Sequence, residues 1–105
     1  MKLLYYAHRY RSHDPSVQDA NLARSIERLR DLRQRFEAEG IVLWAPWIGM
    51  AKAGLPEDLA WIVIERCVRV CHGIVLDLDG ADASDGMLRE QAMAEAVGGE
   101  VRTVR

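Results

Sequence analysis

The sequence predicts an α/β domain: a three-layer, flavodoxin- or Rossmann-like fold with a four-stranded parallel sheet in the order 2-1-3-4. Three observations carry this expectation. Short apolar runs alternate with helical stretches of ten or more residues, giving the order β-α-β-α-β-α-β. The strand runs are almost continuously apolar, as in strands covered on both faces. Right-handed crossovers then leave few arrangements, of which 2-1-3-4 is the most economical. A chain of 105 residues fits one domain, residues 1–105, and contains no Gly/Ser- or Pro-rich linker.

Each element has its own signal. Leu3 to Ala7 reads as a buried strand, and His8 to Gln18 as a polar loop of eleven residues. Asp19 to Glu39 is the clearest helix, because Leu22, Ile26, Leu29, Leu32 and Phe36 recur every three or four positions. Its other faces carry five arginines and five acids, expected to form a solvated surface, and Gly40 is placed to stop it. Ile41 to Ala45 is the second strand, and Pro46 to Gly54 reads as a loop. From Pro56 to about Cys71 the chain is helical and apolar most of the way round. In so small a domain that pattern implies a second covered face, and a homo-oligomer through helix 57–71 is expected. Gly73 to Leu78 is the third strand, Asp79 to Asp85 a loop, Asp85 to Val97 the third helix and Val101 to Val104 the last strand.

Composition narrows the function. Fourteen basic and sixteen acidic side chains leave a net charge of −2, which gives no general drive toward polymeric nucleic acid or an anionic membrane. No apolar run approaches the ~20 residues that span a bilayer, and Met1 to Tyr6 is too short for a signal-peptide core. The protein is therefore expected to be cytoplasmic. Cys67 and Cys71, four apart in a helix, are expected to be thiols. With His72 they make only three ligands in an apolar helix, so no metal site is expected. No nucleotide-loop, nucleophile-elbow or zinc-protease motif is present, and no cofactor is implied.

In this topology ligands bind at the carboxyl ends of the strands, where strands one and three diverge. The residues that reach this place are the candidates. Glu90 lies on one helical line with Met87, Ala94 and Val97, and a carboxylate so placed suits a nucleophile or acid/base role. Ser84 precedes Gly86 at the start of the same helix, a position good for capping and for phosphate. Arg9 and Arg11 offer guanidinium forks for an anion, beside His8 at the strand end. Tyr5 and Tyr6 point to opposite faces, so one hydroxyl can reach the cleft. Trp47 is placed to pack or to stack on a base.

These residues also carry a resemblance. Tyr5-Tyr6-Ala7-His8-Arg9-Tyr10-Arg11-Ser12 resembles the first strand and loop of the nucleoside 2-deoxyribosyltransferase-like superfamily, in particular its small members. Asn21 and Pro46 also fit. Ser84-Asp85-Gly86-Met87-Leu88-Arg89-Glu90-Gln91-Ala92-Met93-Ala94 is similar to the family's Ser-x-Gly-Met-x-x-Glu-x-x-x-Ala pattern. The resemblance implies the same parallel sheet and an enzyme that breaks N-glycosidic bonds of nucleosides or nucleotides through a covalent glycosyl intermediate. It implies Glu90 as nucleophile and Tyr5 as the residue orienting it. Ser84 and Gly86 would line the sugar or 5′-phosphate pocket, and His8, Arg9 and Arg11 the first ligand-facing loop. The family's catalytic members carry an aspartate toward the base in the helix before strand three; gapless alignment puts Ile64 there, next to Glu65. The expected ligand is a small nucleoside or nucleotide, with a 5′-monophosphate favoured if Arg9, Arg11 and Ser84 converge on it. The alternative is a non-catalytic module that binds such a ligand.

Overall fold

The computed structural model describes residues 1–105. The chain runs β1 (Lys2–His8), α1 (Pro15–Glu37), β2 (Ile41–Trp44), α2 (Pro46–Lys52), α3 (Glu57–Val70), β3 (Gly73–Asp77), α4 (Asp85–Ala96), β4 (Glu100–Val104). The four strands are parallel and hydrogen-bonded in the order β2-β1-β3-β4, as the alternation of elements predicts. The inner strands β1 and β3 supply the driest core: Leu4, Tyr5, Tyr6, Ala7, Ile74 and Val75 expose no surface.

Neighbouring residues of β1 point to opposite faces, and their partners identify the layers. Tyr5 reaches Glu90 on α4, whereas Tyr6 reaches Asp77, which is also held by Arg28 of α1. Helix α1 therefore covers one face of the sheet, and α4, with α3 beside it, covers the other. The stripe predicted for α1 faces the sheet, with Leu32 and Phe36 buried and Leu22, Ile26 and Leu29 half-buried. Ser25 on the same helix is fully buried, and its hydroxyl donates to the Leu22 carbonyl at 2.7 Å.

Two elements differ from expectation. The first helix begins at Pro15 rather than Asp19, because the Asp14 carboxylate accepts from Ser16 N at 2.9 Å and Pro15 supplies a fixed φ at the first helical position. His8 belongs to β1, so the first loop shrinks to residues 9–14. The segment from Pro46, expected as a loop, contains α2, a helix of seven residues opened by that proline and anchored by buried Trp47. About two turns are too short to show a helical period in sequence. The remaining ends move by only one to a few residues: α1 closes at Glu37, α4 closes at Ala96, β3 ends at Asp77 and β4 begins at Glu100.

Helix α3 is apolar on two sides, as its sequence implies. Ala60, Ile64 and Val68 are buried, while Leu59, Ile62, Val63 and Val70 form an exposed line. No helix is long and apolar enough to cross a membrane.

The β3–β4 pairing depends on one glycine. A Cβ on Gly73 would collide with the Glu100 carbonyl oxygen and lie 2.8 Å from its nitrogen. Both are backbone atoms of the paired strand and cannot rotate away. Gly73→Ala is expected to destabilise the fold by about 3 kcal/mol or more, whereas Gly86→Ala, whose Cβ would make ordinary contacts with Trp61 at 3.7 Å and the Ser84 hydroxyl at 4.0 Å, should fold normally. Urea denaturation of the two variants checks this contrast, and an unperturbed Gly73→Ala would contradict the strand register.

Candidate active site

The site is built around the start of α4. Ser84 caps the helix by accepting from Met87 N at 3.3 Å, and Asp85 places a negative charge at the positive end of the dipole. Met87, Glu90 and Ala94 then form the buried stripe; Val97, predicted on the same line, is 46% exposed because the helix has ended.

Glu90 is the one carboxyl on that stripe. Its Oε2 accepts from the Tyr5 hydroxyl at 2.5 Å, and the residue is 6% exposed. No hydrogen bond is made to Oε1, yet no sealed side-chain polar atom in the protein lacks a partner. Oε1 therefore opens on the cavity that Glu90 lines. Burial pushes the carboxyl up to about 7, against the opposing pull of the Tyr5 hydrogen bond. The Tyr5 hydroxyl is itself held far above the ordinary phenol range, by burial first and then by Glu90. It stays a donor and fixes the carboxylate from behind, without lining the cavity.

The cavity has a volume of about 660 Å³, within the range of small-ligand sites. Trp47 and Tyr10 form one wall, with ring centroids 5.6 Å apart, and the Trp47 Nε1–H is tied to the Tyr6 carbonyl at 2.8 Å. Trp61 and Ile64 of α3 form another, with Ser84 and Gly86 beside Glu90. Trp61 is covered on its outer side by the Arg89 guanidinium, 4.1 Å from the ring centroid. The sequence alone does not mark Trp61 as a candidate. An aromatic facing inward from a buried helix has no mark that separates lining from packing.

The first-loop residues diverge. His8 lines the cavity, but both ring nitrogens are engaged: Nδ1 faces the Arg9 carbonyl at 2.8 Å and Nε2 the Asp79 carboxylate at 3.1 Å. Arg11 lines the mouth, 3.6 Å from Glu57 and stacked 5.5 Å over Tyr10. Arg9 turns the other way. Its guanidinium donates to the carbonyls of Leu78 at 2.6 Å and Asp79 at 3.2 Å, fastening the loop after β3. The three-residue phosphate cradle expected of Arg9, Arg11 and Ser84 is not assembled, because the Leu78 and Asp79 carbonyls at the strand end hold the Arg9 guanidinium. Glu65 also lies outside the cavity, in an ion pair with Arg69 at 2.8 Å, and Ile64 faces in.

A second charged cluster was invisible in sequence. Arg24 and Arg28, read as part of a solvated helix face, reach the end of β3. Arg28 holds both oxygens of fully buried Asp77, at 2.7 and 3.0 Å, and Tyr6 donates to Asp77 at 2.6 Å. Arg24 holds both oxygens of Asp79, at 2.9 and 3.1 Å. The Arg24 hydrogen bonds keep the Asp79 carboxyl well below the usual range, with His8 adding to the effect. Asp79 sits at φ 48°, a left-handed conformation that aspartate tolerates. The only sequence signal was the spacing: two arginines four apart on one helix, two aspartates two apart at a strand end.

No protein-family model matches the chain, and no curated protein matches it.

The Glu90 environment makes a stability prediction. The native state holds a proton on Glu90 up to about pH 7, the unfolded chain only up to the ordinary 4.5. Between those values the native state binds more protons, so the Glu90 contribution falls as pH rises from about 4.5 to 7 and then levels off. Glu90→Gln keeps the acceptor for Tyr5 and removes the charge. Relative to the parent it should gain stability at pH 8, by at most on the order of 3 kcal/mol, and gain little at pH 4. Urea midpoints at both pH values measure this; equal differences at the two would refute it.

Proposed function

We propose that the protein breaks the N-glycosidic bond of a small nucleoside or nucleotide, with Glu90 as nucleophile. The observation that carries this reading is a buried carboxyl in a ligand-sized cavity, one oxygen fixed by Tyr5 and the other open. Oε1 attacks the anomeric carbon, the C1′–N bond breaks and its electrons leave with the base. Water or a second base then takes the sugar and restores the carboxylate. The oxocarbenium-like transition state places positive charge beside Glu90, where a poorly solvated carboxylate stabilises it strongly. The likeness of residues 84–94 to the nucleoside 2-deoxyribosyltransferase-like pattern supports the same role.

Tyr5 positions Glu90 in this scheme, and Trp47, Tyr10 and Trp61 offer flat surfaces for a base. Arg11 and Ser84 remain available to a sugar or a 5′-phosphate. One observation favours the alternative of binding without cleavage: the α3 residues buried against the cavity, Ala60 and Ile64, are apolar, and its one lining acid, Glu57, is exposed at the rim.

Base release from ribo- and deoxyribonucleosides and their 5′-monophosphates, followed by chromatography, separates the two readings. Cleavage should fall by on the order of 10³-fold or more in Glu90→Gln. The carboxylate form is required, so kcat/KM should rise with pH through about 7 and flatten above it. Tyr5→Phe removes the hydrogen bond that favours the carboxylate; the rate should drop roughly 10- to 100-fold and the limb should move to higher pH. Melting shifts from a ligand without release of base would support the binding module instead.

The exposed line on α3 supports a homodimer through that helix. Its N-terminal end carries Glu57 and Asp58, its C-terminal end Arg66 and Arg69, the latter paired with Glu65. A two-fold axis perpendicular to the helix pairs the two copies antiparallel and sets each acidic end against a basic one. Sedimentation at micromolar concentration should show a dimer that Ile62→Glu dissociates; a parent chain that sediments as a monomer excludes this pairing.

A further inference from the structure

We infer that the bond this cavity cleaves best is that of an N-ribosyl pyridinium, in which the departing ring is a cation before cleavage and neutral after it. This deepens the glycosidase reading above and rests on it. Two independent observations lead here: what the cavity offers to a leaving base, and the charge of its wall.

A neutral purine or pyrimidine departs as an anion unless something protonates it, so an enzyme acting on such a nucleoside needs an acid facing the base. Among the buried residues of the wall none apart from the nucleophile has one to spare, and the other lining carboxyls, of Asp19, Glu57 and Asp85, are exposed at the rim. Ile64 occupies the facing position on α3, and Glu65 is outside and paired with Arg69. The Trp47 indole N–H is committed to the Tyr6 carbonyl, and both His8 nitrogens face oxygen acceptors. The Tyr5 hydroxyl lies behind Glu90 and donates to it. A pyridinium needs no such acid. When its C1′–N bond breaks, both electrons go to the ring nitrogen, the positive charge is cancelled and a neutral pyridine leaves. Oε1 of Glu90 forms the new bond to C1′. Water then adds to C1′ as that bond breaks, the carboxylate returns, and one proton goes to solvent.

The electrostatics point the same way. The wall holds buried Glu90 and, at the exposed rim, the carboxyls of Asp19, Glu57 and Asp85, against two guanidinium groups: Arg11, which leans toward Glu57 and stacks on Tyr10, and Arg89, which stacks on Trp61. With Trp47, Tyr10 and Trp61 this is a negative, aromatic-lined cavity, the setting that favours a flat organic cation. Such a cation beside Glu90 also favours its ionised, nucleophilic form.

The test uses the intact protein with nicotinamide riboside and its 5′-monophosphate on one side, and inosine, adenosine, cytidine and uridine with their 5′-monophosphates on the other. Only the part of each rate lost in Glu90→Gln is counted, which removes spontaneous hydrolysis. The expected result is a kcat/KM for nicotinamide release at least 100-fold above that for any neutral base. A series of ribosides of substituted pyridines should show a steep fall in rate as the parent pyridine becomes more basic, because the enzyme gives the leaving group no proton. Ile64→Asp, checked for a normal melting transition, should narrow the gap between neutral and cationic substrates at least tenfold. Glu90-dependent release of neutral bases as fast as nicotinamide, or a flat dependence on pyridine basicity, overturns the pyridinium assignment and leaves the glycosidase reading standing. No Glu90-dependent release from any substrate overturns both.

Discussion

Strand β1 is buried on both faces, yet it carries two phenol hydroxyls that must each find a partner inside the protein. Both find a carboxyl group. On the α1 face Tyr6 donates to Asp77, and on the α4 face Tyr5 donates to Glu90. The two pairs differ in one respect that decides their roles. Asp77 is also gripped by both arms of Arg28 and receives the Asp79 N–H at 3.2 Å, so its lone pairs are filled and its charge is cancelled. Glu90 has Tyr5 alone. A buried carboxylate with a guanidinium is a tie between a helix and a sheet; a buried carboxyl without one is reactive toward whatever positive charge enters the cavity. The fold places these two chemistries back to back across a single strand.

The ion pairs on the α1 face also shape the site indirectly. Arg24 and Arg28 fix Asp79 and Asp77, Asp79 fixes the His8 ring, and Arg9 fastens the two carbonyls that follow β3. The loop from β3 to α4 is held at its origin by charge and at its end by the Ser84 cap. Glu90 follows six residues after that cap, on a helix whose entry is set from both sides. Its orientation therefore does not depend on a ligand.

How much of this was legible in the sequence follows from the range of each interaction. The sheet order came from the alternation of elements and the handedness of crossovers, which are general rules. Glu90 was legible because its neighbours at minus three and plus four, Met87 and Ala94, are apolar; the pattern reports burial without knowing what buries it. Strand alternation put Tyr5 and Tyr6 on opposite faces without saying which one meets Glu90; the family resemblance pointed to Tyr5. The arginines were not legible in this way. A guanidinium on a long, flexible stem serves equally as a solvated charge or as a cross-fold tie, and only the position of an acceptor decides. Arg24 and Arg28 had carboxylates waiting at the end of β3, and Arg9 had carbonyls, so one group judged solvated is structural and one judged functional is structural too. Helix α2 escaped because seven residues do not complete a period that can be distinguished from a loop rich in small and apolar side chains.

The identity of residue 90 itself argues for chemistry. A glutamine there would accept the Tyr5 hydrogen bond, fill the same space and avoid the cost of ionising a buried group near neutral pH. That cost is a real fraction of the roughly 5–15 kcal/mol by which small domains are stable. Stability alone favours the amide. A carboxyl held to about 7 in a ligand-sized cavity, with its second oxygen unshared, makes sense if the site needs a negative charge that it does not keep fully developed until a positive one arrives. The same reasoning explains the absence of a guanidinium near Glu90. An arginine within reach would favour the carboxylate form outright and, in the proposed reaction, would oppose the positive charge that develops on the sugar.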